Sequence, residues 1–155
     1  EGFDAAIHHG QAHWPGAQLQ ELMREEIIVV CRADRAAAIR DVSDLREQPR
    51  LQLQSRRRAW PRWFRRVGLE ESDAGRGPLF EHHMMVIQAA LAGLGVALLP
   101  SFLIEDELAD GRLLAPFPEL RFPGLNGYYL AFPEANRQLP ALAAFRDWIG
   151  EELSR

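Results

Sequence analysis

The chain turns at Gly93-Leu94-Gly95 into Val96-Ala97-Leu98-Leu99, and Pro100 ends that run. Four successive apolar residues between a glycine turn and a proline describe a strand that needs cover on both faces. The neighbouring sequence, within residues 80–113, supplies it. Spacing predicts a helix from about Glu81 to Ala92, stopped at Gly93, and a second helix capped by Ser101 and closed at Gly111. Helix, turn, buried strand and helix make an α/β unit. A simple antiparallel sandwich is excluded, because one of its sheet faces would meet water.

The rest of the chain extends this pattern. Phe3 to His9 reads as a short strand ending at Gly10, and Glu26 to Cys31 as a β-branched strand. Ser43 or Asp44 opens a brief helix that Pro49 ends, and Leu51-Gln52-Leu53-Gln54 alternates as a strand. Trp60, Trp63, Phe64 and Val67 share one helical face, with Gly68 as the stop. Tyr128 to Phe132 is a strand. A closing helix spans Leu139 to Leu153, with Leu142, Phe145, Ile149 and Leu153 on its inner stripe. Strands alternating with helices predict an α/β fold with a mainly parallel sheet. Two extended segments, residues 26–31 and 113–127, stand on either side of the middle, as a two-lobed domain requires.

At 155 residues the chain suits one domain or two small lobes. A net charge of −4 is too small to imply a nucleic-acid partner by itself. All 18 basic residues are Arg, which pairs with carboxylates bidentately; coding bias is the plainer account of the choice, since surfaces tolerate either basic residue. The single Cys excludes an intrachain disulfide and suits a reducing compartment. Apolar runs are broken by Gly and Pro well short of the ~18 residues a membrane span requires. The start at Glu1, without Met, reads as part of something longer.

Taken in order, several segments resemble one family. Phe3-Asp4-Ala5-Ala6-Ile7-His8-His9-Gly10 with Trp14-Pro15-Gly16 is similar to the "vDaAIRyG…WPG" of LysR-type transcriptional regulators, in the subgroup like the glycine-cleavage activator. Val29-Val30-Cys31 resembles its "PVCsP", and Trp60 with Trp63 its "W..W". Phe80 followed by the run Ala89 to Pro100 resembles "F…AAlaGlGVALlP". Gly111-Arg112-Leu113 with Pro116-Phe117, Tyr128-Tyr129-Leu130, and Phe145 to Ile149 match "GRLv.PF", "YYLv" and "F.dWL". The resemblance implies the effector-binding domain: two Rossmann-like lobes of the type II periplasmic-binding-protein kind. Residues 1–26 and 127–155 would form lobe I, incomplete at its N-terminus, and residues 27–126 lobe II. It also implies a cytoplasmic sensor without cofactor or catalysis, forming homodimers or tetramers. The helix-turn-helix that binds DNA would lie outside this chain. His8-His9 departs from the subgroup's usual Arg-Tyr, which alters the polarity expected at that edge.

Ligands of open α/β sheets sit at the carboxyl ends of strands and at helix N-termini. Three stretches have that placement: Gln54-Ser55-Arg56-Arg57, Phe80-Glu81-His82-His83, and His8-His9-Gly10. On the implied fold they converge on the cleft between lobes. Free backbone N–H groups at a helix start favour an anion. Ser55 can donate a hydrogen bond, an Arg can pair with a carboxylate, and Phe80 and Trp60 can supply apolar walls. In the competing reading the Arg residues are a solvated surface and the aromatics are core.

Other chemistries fit less well. His8 and His9 point to opposite strand faces, and His82 and His83 stand about 100° apart on a helix. Neither pair chelates a metal, and no Cys or carboxylate motif completes a set. Cys31 has no catalytic neighbours and reads as a buried thiol. Seven Arg and no acid between Arg50 and Arg66, interleaved with Trp60, Trp63 and Phe64, raise a nucleic-acid patch as an alternative. A solute-binding protein shares the implied fold and is the alternative function. An enzyme would need a catalytic constellation that is not found.

Overall fold

A polar first half and the β-branched run Ile27-Ile28-Val29-Val30 together form a 13-residue strand from Gln18 in the computed structural model, which describes residues 3–70 and 76–154. In chain order the strands are β1 (Ala6–Gly10), β2 (Gln18–Val30), β3 (Arg50–Leu53), β4 (Leu79–Phe80), β5 (Val96–Pro100) and β6 (Phe122–Phe132). The helices are α1 (Ala33–Ala36), α2 (Ala59–Arg66), α3 (His83–Leu91), α4 (Glu105–Ala109) and α5 (Pro140–Glu152). By contacts the chain divides into unit 1, Glu1–Glu25 with Pro123–Arg155, and unit 2, Glu26–Phe122.

In unit 2 the strand order is β2-β5-β3-β4. Both neighbours of β3 run parallel to it, with Leu51 level with Ala97 and Leu53 level with Phe80, whereas β2 is antiparallel to β5. The alternation of β2 sends Ile28 and Val30 to one face and Val29 and Cys31 to the other. On the first face they meet Val86, Ile87 and Ala90 of α3, and on the second Trp60, Trp63 and Phe64 of α2. The two-sided cover demanded by Val96 to Leu99 is therefore present. Gly95 permits it: a Cβ there would lie 2.2 Å from the Pro49 carbonyl oxygen, the acceptor of the Val96 N–H.

Arg50 occupies the α2 side of β3 and is fully buried. Its Nη1 donates to the carbonyls of Leu45 (3.0 Å), Arg46 (2.7 Å) and Gln48 (3.3 Å), and its guanidinium lies 5.5 Å from the Phe64 ring centre. It thus caps the carboxyl end of a 3-10 turn over Val42–Arg46. The other end of that turn is closed by a capping box between Asp41 and Asp44. Their hydrogen bonds from Ser43 and from the Asp41 and Arg40 amides hold both carboxyls below the ordinary range.

In unit 1, β6 stands between β1 and β2, and β1 is antiparallel to β6 with His8 level with Tyr129 and His9 level with Tyr128. Leu142 of α5 is buried with Leu130 and Phe132.

Three expectations are corrected. The sheet is mixed: β3 is parallel to β4 and β5, whereas β1 with β6 and β2 with β5 are antiparallel pairs. Ser101 caps no helix. Residues Ser101–Leu103 form a 3-10 turn, and fully buried Ile104, anchored in the core with non-helical φ −138° and ψ 22°, breaks the run before α4. The stripe on α5 is only partly inner: Phe145 and Leu153 are 37% and 47% exposed, because the three strands of unit 1 offer it one small apolar cluster.

Candidate functional site

The parallel arrangement of β3, β4 and β5 brings three carboxyl ends to one edge of unit 2. Beyond β3, residues Gln54–Arg56 form a 3-10 turn in which Gln54 and Ser55 are exposed and Arg56 is half-buried, and exposed Arg57 follows. Beyond β4, Glu81 and His82 are exposed and His83 is half-buried. The pairing of Leu53 with Phe80 makes these two stretches neighbours. Phe80 is half-buried against the α3-side core. Beyond β5 comes Ser101, which sequence reasoning took for a helix cap. The only sequence signal for its place is the Pro100-Ser101 step directly after a strand.

His82 is the N-cap residue of α3, with extended backbone (φ −127°, ψ 147°) and no side-chain cap. Its carbonyl accepts the Met85 and Val86 N–H groups. α3 therefore begins without a side-chain oxygen in the capping position, and the Leu53–Phe80 pairing sets its opening residues next to Gln54 and Ser55. Donor N–H groups, a hydroxyl, an amide and nearby guanidinium groups are the equipment for holding an anion.

Trp60, the other candidate of unit 2, is enclosed in the core. It is 2% exposed, its indole N–H donates to the Leu51 carbonyl at 3.1 Å, and it rings with Trp63 and Phe64 in the core. The same burial removes the base-stacking platform from the nucleic-acid alternative. Helical spacing had already favoured core for Trp63.

His8, His9 and Gly10 stand in β1 of unit 1. The His8 ring packs edge-on against Trp14 at 5.0 Å and fills the space beside Gly10, where a Cβ would come within 2.8 Å of its Nε2. His9 Nε2 lies 3.0 Å from Glu25 Oε1, and its ring stacks 4.6 Å from that of Tyr128. Among the described residues no three His, Cys, Asp or Glu side chains could together hold a metal ion. Cys31 is fully buried, and burial pushes its thiol up to about 11.

Residues 1–154 match the family model of the LysR substrate binding domain. The chain belongs to this family. It is 34% identical over 149 residues to the glycine cleavage system transcriptional activator of Escherichia coli strain K12, covering 94% of this chain and 48% of that protein. It is 33% identical to the HTH-type transcriptional activator AmpR of Providencia stuartii, over all of this chain and 52% of that one. The chain thus spans about half the length of these curated relatives. The X-ray structure of the effector domain of AmpR from Pseudomonas aeruginosa superposes with a TM-score of 0.83 at 28% identity, covering 97% of this chain and 72% of that one. The AmpR effector binding domain from Citrobacter freundii gives 0.82 at 25%, covering 97% and 74%. LysR effector-binding domains have the type II periplasmic-binding-protein-like fold, and this α/β chain shares it.

Proposed function

We propose that this domain is the ligand sensor of a LysR-type transcription regulator and performs no catalysis. Its effector is a small organic anion, such as an amino acid or an aromatic carboxylate, held at the carboxyl edge of β3 and β4. The observation that supports this reading is the parallel pairing of Leu53 with Phe80, which sets Gln54 and Ser55 next to the residues that open α3. Gln54, Ser55, Arg56, Arg57, Trp60, Phe80, His82 and His83 would serve the effector in unit 2; His8, His9 and Gly10 are the candidates of unit 1. Binding would favour one arrangement of the two lobes, with the crossing segments, residues 26–31 and 113–127, as the hinge. An N-terminal helix-turn-helix domain of the full-length protein would report that shift to DNA in the cytoplasm. The relatives' names favour this reading over a solute-binding protein. No helix among the described residues is long and apolar enough to cross a membrane.

A thermal-shift screen of small carboxylates and amino acids tests the reading. With the strongest hit, Ser55→Asp is expected to weaken binding at least about tenfold, since one like charge at the anion site costs more than ~1.4 kcal/mol. Unchanged affinity in Ser55→Asp and Arg57→Ala would place the site elsewhere.

The domain also forms a homodimer in this proposal. Met84 and Met85 of α3 are 63% and 48% exposed, and Leu94 just beyond it is 55% exposed. This is an apolar surface of the kind a second copy covers. Light scattering after size exclusion should show a dimer that Met84→Glu dissociates. A monomeric parent, or a dimer indifferent to both Met84→Glu and Met85→Glu, would remove this surface from consideration.

A further inference from the structure

We propose that His9 and Glu25 form a proton-sensitive latch on the two strands that carry the chain out of unit 1 and back. Glu25 is the last residue of unit 1 on β2, and Gly124 lies one residue into the return on β6. The Glu25 side chain is 1% exposed, although Arg24 and Glu26 beside it face solvent. One carboxylate oxygen meets His9 Nε2 at 3.0 Å. The other is pressed to Gly124, where an added Cβ would stand 2.8 Å from Oε2 and 2.7 Å from the Glu25 Cβ. Across from Glu25, the His9 ring is backed by Tyr128 of β6. One imidazole therefore ties β1 to β2 and leans on β6, while remaining 38% exposed and open to protons from solvent.

A carboxylate withdrawn from water this far must be paired. Neutral imidazole offers it one hydrogen bond. Imidazolium offers the same bond with full opposite charge, and a charge-assisted bond is roughly twice as strong. The groups facing His9 are Glu25 from β2 and Tyr128 from β6. Arg24 and Glu21 pair with each other on the exposed side of β2 at 2.9 Å, and His8 belongs to the opposite face of β1, against Trp14. The sign follows: the latch is tight while His9 carries its proton and loosens once the ring is neutral, so the test spans roughly pH 5 to 8. Its consequence for effector response rests on the hinge reading above, but the latch itself is measured without effector.

Hydrogen exchange of the 155-residue chain across that pH range, corrected for intrinsic rates, provides the test. Protection in residues 20–27 and 122–128 should fall about tenfold from the acid to the neutral end, while α3 holds steady. His9→Gln should abolish the step and His8→Gln should keep it. Glu25→Gln should also lose the step, and if it unfolds the chain, His9→Gln alone decides. A step that survives His9→Gln, one that α3 shares equally, or no step in the parent chain would overturn the latch.

Discussion

Replacing Arg50 with alanine is expected to destabilise the chain by about 3–5 kcal/mol, read as the loss of unfolding free energy in urea. Its guanidinium is wholly buried and supplies a donor to three carbonyls, those of Leu45, Arg46 and Gln48. The Leu45 carbonyl keeps the Gln48 N–H, but those of Arg46 and Gln48 lose their donor, and each acceptor left unmet costs about 1–3 kcal/mol. The side chain also fills space against Phe64, so truncation leaves a void as well. Arg50→Met separates the two parts, restoring volume but no donor, and should recover only a minority of the loss. A drop below about 1 kcal/mol in Arg50→Ala would mean that water takes over those carbonyls and that the guanidinium is not structural.

Phe64→Ala is expected to cost a similar 3–5 kcal/mol. Phe64 is fully buried, with ring centres 5.7 Å from Trp60 and 5.6 Å from Trp63. For a chain of this size that corresponds to a fall in Tm of roughly 6–20 °C. The two side chains touch, so the double variant should lose less than the sum of the singles by about 0.5–3 kcal/mol. Strict additivity would show that the guanidinium gains nothing from the ring beneath it.

Much of unit 2 was legible before any coordinates. Trp60, Trp63 and Phe64 declared a helix face by spacing, and Gly93 to Pro100 declared a turn and a strand covered twice. Both signals are local: they depend on residues within one or two turns. The ends of β3 and β4 could be placed for the same reason, since strand ends can be read from neighbours in sequence. Trp60 could be read two ways, because an aromatic near a strand end is equally suited to a wall or a core. Only its bond to Leu51 and its neighbours in α2 decide between them.

Arg50 and Glu25 were missed, and for different reasons. Arg50 begins an Arg-rich run and looks like its solvated neighbours Arg57 and Arg58. Its burial comes from carbonyls gathered by a turn just before it and a ring 14 residues after it. Glu25 had a faint signal, since the alternation of β2 puts it on the same face as Met23 and Ile27. Nothing local announced that His9, 16 residues earlier, would meet it.

The sequence by itself determined the elements, the family and the side of each helix that is apolar, because periodicity and punctuation act over a few residues. The tertiary structure alone decided strand direction, the burial of Arg50 and Glu25, and the bare side of α5. Those depend on which distant segments arrive as partners. A charge inside a protein is tolerated only where such partners meet it, and no short stretch of chain encodes their arrival.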